Sequence, residues 1–207
     1  MGTHRSATGL NFLTAAGALG VVTHLVFSPQ LDPGTSFGVF AASEAFFWRL
    51  SLAIGVTFLL LCGLAAQFRS LFDRMGRWGK ATLMLAFAGT AVTFAHEWGQ
   101  IFFLREVALV APQALDTLED QAGFNLFDLE SAIAASLFML GWVAFVIALW
   151  RSRVVARRGP LLVLAGFVLI PVLTLALPGL WGAALGNAVL CAGWMVLGYD
   201  LTGVAEE

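Results

Sequence analysis

The sequence predicts an all-α, polytopic membrane helix bundle. It is a single transmembrane domain over residues 1–207, with six transmembrane helices and both termini cytoplasmic. Three observations predict it. Hydrophobic residues make up 59% of the 207 and charged residues only 12%, where a soluble domain carries about a quarter charged; mean hydropathy is +0.87. Six stretches approach the roughly 20 residues that carry a helix across about 30 Å of hydrocarbon. The basic residues fall in short loops that alternate with acidic or uncharged ones. The lipid bilayer is therefore the first partner. A net charge of -2, with no basic patch outside short loops, excludes nucleic acid.

The first predicted helix, about 9–27, follows Arg5. No small-x-small cleavage site precedes the polar "SPQLDPG", so it is expected as a retained helix rather than a signal peptide. A loop rich in turn formers (28–45) leads to helix 2, about 46–66, and the basic "QFRSLFDRMGRWGK" leads to helix 3, about 81–104. The segment 105–127 is long, acidic and sparsely amphipathic, which suits an interfacial helix or a lid. Asn125 and Asp128 are spaced to cap helix 4, about 128–150. After "RSRVVARRGP" come helix 5, about 161–177, short and carrying Pro171, and helix 6, about 180–199. The intervening "LPGLWG" permits only a tight turn, so the last two form a hairpin. Arg5, Arg69, Arg74, Arg77, Lys80, Arg151, Arg153, Arg157 and Arg158 lie on one side, which places both termini in the cytoplasm. Arg49 and Arg105 stand at the opposite ends of their helices. Cys62 and Cys191 fall in apolar segments without ligand spacing and read as small buried hydrophobes.

The polar residues within the spans are unevenly placed. Gly89, Thr90, Thr93, His96, Glu97 and Gln100 follow helical spacing on helix 3, forming a small and polar stripe that must face the bundle, because lipid cannot satisfy it. On helix 1, Gly17, Gly20 and His24 share a face, and the glycines admit a close neighbour. A contact between helices 1 and 3 meets both requirements. His24 and His96 each lie about 15 residues into their spans, about 22 Å at 1.5 Å per residue, so they are expected at one level facing each other. Arg49, Glu44, Glu130 and Asn187 fall at similar depth. The ionisable groups are thus expected in one outer-leaflet cluster, with Arg49 paired to Glu97 or Glu130.

Three functions fit such a cluster. As a structural network in an accessory, scaffolding or ligand-binding subunit, it fixes helix packing without chemistry. As a cofactor site, His24 and His96 are the axial pair for haem b, or ligands to another pigment, in an electron-transfer subunit. As a membrane-embedded acid–base enzyme (isomerase, cyclase or hydrolase) on a lipophilic substrate, Glu97 or His96 is the base, Glu130 the acid and Arg49 the charge stabiliser. Adjacent His96 and Glu97 point about 100° apart on a helix, which keeps them from one target atom. No metal site is expected, since no HxxxH or ExxH spacing occurs. A small lipophilic molecule and further membrane subunits are the partners these readings imply.

Three stretches, "SEAFFWRLSLAIGVTFLLLCGLAAQFRSL", "FDLESAIAASLFMLGWVAFVIALWRSRVVARRGPLLVLAGFVL" and "GWMVLGYDL", resemble a group of uncharacterised bacterial six-helix membrane proteins carried as a domain of unknown function. The resemblance covers about two thirds of the chain. It implies six helices and a bacterial inner membrane, matches Arg49 at the opening of helix 2, and carries no activity. "HLVFSPQLDPG" and "AHEWGQ" are not part of it.

Overall fold

The computed structural model describes residues 12–72, 74–120 and 126–204, all of whose regular elements are helices. Helix α1 (Phe12–Val22) continues through a π-helical turn (Thr23–Phe27) and a short 3-10 turn (Ser28–Gln30). Pro29 sits in that last turn; it has no N–H to give to the carbonyl four residues back, and the helix widens just before it. Then follow α2 (Phe37–Ala42), α3 (Glu44–Phe72) and α4 (Gly76–Gly99) with its own π-helical turn (Gln100–Leu104). Two short helices, α5 (Arg105–Val110) and α6 (Pro112–Asp120), occupy the stretch expected as a lid. The chain closes with α7 (Leu126–Ser152), α8 (Arg158–Ala176) and α9 (Trp181–Val204). Arg5 and Asn125, invoked above for orientation and capping, lie outside the described residues.

Five of these helices are long and apolar enough to cross a membrane: Phe12–Gln30, Glu44–Phe68, Phe127–Ser152, Arg158–Ala176 and Trp181–Leu201. The chain therefore has the pattern of a multi-pass membrane protein. The expected third span is a continuous helix but not among the five. Arg77 and Lys80 near its start, the threonines along it, and His96, Glu97 and Gln100 near its end lower its hydropathy.

The long helices form a ring. α1 packs on α9 and α3, α3 on α4, α4 on α7 and α8 on α9, with a thinner contact of α7 with α8 completing the circuit. This corrects the expected contact between helices 1 and 3. The small residues do admit close neighbours, but other ones: a Cβ at Gly17 would collide with the α9 backbone at Cys191 and Met195, and one at Gly89 with the α7 backbone at Leu137. A glycine stripe tells how near a partner comes, not which helix it is.

The ring is filled by Leu60, Leu64, Phe145, Leu149, Leu197 and above all by Trp142 and Trp194, whose rings lie 5.3 Å apart. Trp142 Nε1–H donates to Thr90 Oγ1 at 3.1 Å, so the fully buried indole is satisfied. Lipid competes equally for apolar groups; dispersion, close backbone approach and such buried hydrogen bonds hold the helices together. Outward-facing Phe58 (54% exposed), Val168 (62%) and Leu175 (91%) are ordinary in hydrocarbon and would be a liability in water.

A second, smaller core caps one end. Leu31, Ala41, Phe46, Leu50, Ile101, Ala108 and Leu115 join the two long connections to the ends of α3 and α4. The seam between α2 and α6 is tight: Gly38 N–H donates to Asp116 Oδ1 at 2.6 Å, and a Cβ at Gly38 would strike the Pro112 carbonyl.

Candidate functional site

The capped end gathers the polar residues, but into two groups rather than one. The turn that carries His96 and Glu97 divides them. Their Cα–Cβ vectors diverge as helical geometry requires, Glu97 towards α3 and His96 towards α7.

On the α3 side, Thr57 O–H donates to Glu97 Oε2 at 2.8 Å. Thr57 also lies 3.1 Å from the carbonyls of Ala53 and Ile54 on its own helix. Arg49 belongs to the same region and exerts its charge on both Glu97 and His24. Among the described residues its hydrogen-bond partner is a hydroxyl. Arg49 Nε–H donates to Ser28 Oγ at 3.2 Å, and Ser28 Oγ stands 3.4 Å from His24 Nδ1. Ser28, in the 3-10 turn that follows the π-helical turn of helix 1, thus links Arg49 to His24, while Arg49 and Glu97 are coupled through charge. Ser28 and Thr57 are buried; His24, Arg49 and Glu97 are partly so.

On the α7 side, Gln100 Nε2–H donates to His96 Nε2 at 2.6 Å, while His96 Nδ1 lies 2.5 Å from Glu130 Oε2. A ring nitrogen that accepts carries no proton, so with the amide so oriented His96 is the neutral Nδ1–H tautomer and donates to an anionic Glu130. Glu130 is about half exposed and the His96 side chain mostly buried, at 49% and 16%. This chain borders a cavity of about 350 Å³. Its walls are otherwise apolar: Ala95, Gly99, Phe103, Leu104, Val107 and Phe127. The Phe127 ring lies 6.2 Å from the His96 imidazole.

Of the residues expected to share one site, the structure brings together His96 with Glu130, and Arg49 with Glu97 and His24. Glu44 joins neither group. It accepts from Arg105 Nη2 at 3.1 Å, while that guanidinium lies over the Phe47 ring at 4.5 Å. Asn187 donates to Ala183 O on its own helix. A bis-histidine haem does not fit this arrangement: both ring nitrogens of His96 are engaged, and His24 belongs to the other group. Among the described residues no three His, Cys, Asp or Glu side chains are placed to hold a metal ion.

Sequence reasoning placed Gln100 on the right stripe without giving it a role, and it missed the cavity walls supplied by Phe103, Leu104, Val107 and Phe127. The available signal was that the lid begins only five residues after the polar stripe ends, directly where helix 3 stops.

No family model matches the chain, and neither a curated protein nor a solved structure matches it.

Proposed function

We propose that the chain is a six-span protein of a bacterial inner membrane, with both termini cytoplasmic, that binds a lipophilic molecule in the cavity between α4 and α7. The sixth span is α4 with its π-helical turn. It packs lengthwise between α3 and α7, and its basic start at Arg77 and Lys80 suits the cytoplasmic face. The resemblance to six-helix bacterial membrane proteins agrees with this reading.

One observation carries the binding role. The cavity is open and apolar-walled, and its polar groups, Gln100, His96 and Glu130, are already joined in one hydrogen-bonded chain. Pockets for small molecules have this composition, a largely apolar surface with a few convergent polar groups that orient the ligand. The Arg49–Ser28–His24 and Thr57–Glu97 contacts act as the structural network that holds α1, α3 and α4 in place.

A second reading, acid–base catalysis, is favoured by the His96–Glu130 contact itself. A neutral imidazole hydrogen-bonded to a carboxylate can take a proton at Nε2 once Gln100 swings away, with Glu130 stabilising the cation formed. Glu97 and Arg49 take no part in that reading, since Glu97 faces α3 and Arg49, on α3, reaches Ser28 at the end of helix 1.

Mass spectrometry of lipophiles that co-purify with the full chain in neutral detergent tests the binding role. Gly99 offers the control, because it lines the cavity, a Cβ added there meets nothing within 4 Å, and a leucine would take up space a ligand needs. A molecule retained by wild type and absent from Gly99→Leu is expected; identical extracts from the two would overturn the reading.

A further inference from the structure

We infer that the cavity selects a lipophilic cation, an ammonium or comparable positive group on an apolar body. The inference rests on the cavity being a binding site and adds the charge of what it takes. Four observations carry it. First, the hydrogen bonds leave the site negative: with Gln100 donating to His96 Nε2, the imidazole is neutral and Glu130 keeps its charge. Second, Glu130 gives His96 only Oε2, and at 49% exposure it has an oxygen to offer a ligand. Third, no lysine or arginine is among the described residues that line the cavity. Arg105 follows directly on the lining residue Leu104, yet it is turned away to Glu44 and the Phe47 ring. Fourth, Phe103 and Phe127 line the same cavity as Glu130, and a positive group bound over either ring gains cation–π attraction in addition to charge pairing.

The alternatives fit less well. An anionic head group would meet Glu130 with no compensating cation. A neutral lipophile would leave the carboxylate's second oxygen to water. The surrounding surface favours the same sign: Asp32, Glu106 and Asp128 are exposed at this end of the bundle, beyond the Glu44–Arg105 pair. Such a surface raises the local concentration of cations. The positive group belongs either to a membrane lipid, such as an ethanolamine head group, or to a free lipophilic amine. The recognition chemistry is common to both.

The test uses the full chain in maltoside micelles, which carry neither charge nor ammonium. Three probes of one shape are compared by saturation-transfer NMR: benzyltrimethylammonium, its neutral carbon isostere neopentylbenzene, and the anion phenylmethanesulfonate. The cation is expected to bind at least about tenfold more tightly than the isostere, a preference corresponding to about 1.4 kcal/mol. Glu130→Gln should erase that preference, Glu130→Asp should retain most of it, and Gly99→Leu should abolish binding of every probe. If the isostere or the anion binds as well as the cation but is still lost in Gly99→Leu, the charge preference is overturned and the binding site stands. If Gly99→Leu binds the probes like wild type, the cavity itself is overturned. Displacement of the cation by phosphatidylethanolamine and not by phosphatidylglycerol assigns the ligand to a lipid head group; displacement by neither assigns it to a free amine.

Discussion

His96 and Glu97 are neighbours in the chain and opposites in setting. Glu97 faces α3, where its carboxylate takes a hydroxyl from buried Thr57 and sits within reach of the Arg49 charge. His96 faces α7, where it links Gln100 to a half-exposed Glu130 at the edge of an open cavity. A polar residue in a membrane helix is thus not by itself a sign of function. What separates the two is whether the group's remaining hydrogen-bonding capacity is directed at other helices or at open space. In hydrocarbon the first use holds a bundle together and the second leaves room for a guest.

Several substitutions break or sharpen that contrast. The largest effect is expected on the Glu97 side. Arg49→Ala removes the guanidinium from Ser28 and its field from Glu97 and His24, and should lower stability by about 1.5–3 kcal/mol, the range for hydrogen bonds to charged groups. Thermal unfolding in mild detergent measures it; an unchanged midpoint would mean that the guanidinium is satisfied by lipid head groups or water instead.

Thr57→Val leaves the Glu97 carboxylate without its closest donor and should cost about 1–2 kcal/mol, with ligand binding in the cavity intact. Loss of binding together with stability would merge the two faces into one site.

A smaller change is expected at the cap. Asp116→Asn weakens the 2.6 Å bond from Gly38 N–H by about 1 kcal/mol. Faster amide exchange across 37–42, with 12–22 unaffected, would mark the cap as a separately opening unit. Uniform acceleration would show that the cap and the ring open together.

The smallest stability effect belongs to the cavity side. Glu130→Gln should change stability by less than about 1 kcal/mol, since exposed ion pairs contribute little, while altering what the cavity binds. A drop as large as that of Arg49→Ala would reclassify Glu130 as part of the packing network.

Much of this was legible in the sequence. The apolar stretches mark out the helices to within a few residues in most cases, and the polar stripe of helix 3 does turn away from lipid. Pro171 and the short turn after helix 5 anticipate the α8–α9 hairpin. What the sequence does not carry is the identity of neighbours. Gly17 and Gly89 signal close approach equally well to any helix, so their partners α9 and α7 had to come from the three-dimensional arrangement. For the same reason His24 and His96, matched in depth, seemed a pair. A π-helical turn follows closely on each of them or contains it, and the apparent single cluster separates into two. The cavity was hidden because half of its wall comes from apolar residues of the turn after Gly99, the lid and the start of α7, and nothing in their type distinguishes wall from filling.

The π-helical turn at Gln100–Leu104 has a bearing on how this chain can vary. Arg105 N–H bonds to Gln100 O, five residues back, so the turn holds one residue more than an α-helix would. Deleting a single amino acid there would close an ordinary α turn that sweeps nearly the same angle, so Arg105 would still face Glu44 and Phe47 and Leu104 the cavity wall. Deleting one from the α-helical turns just before it would instead rotate everything beyond by about 100°. The widened turn is thus a spot within a packed helix where the gene can shorten by one codon.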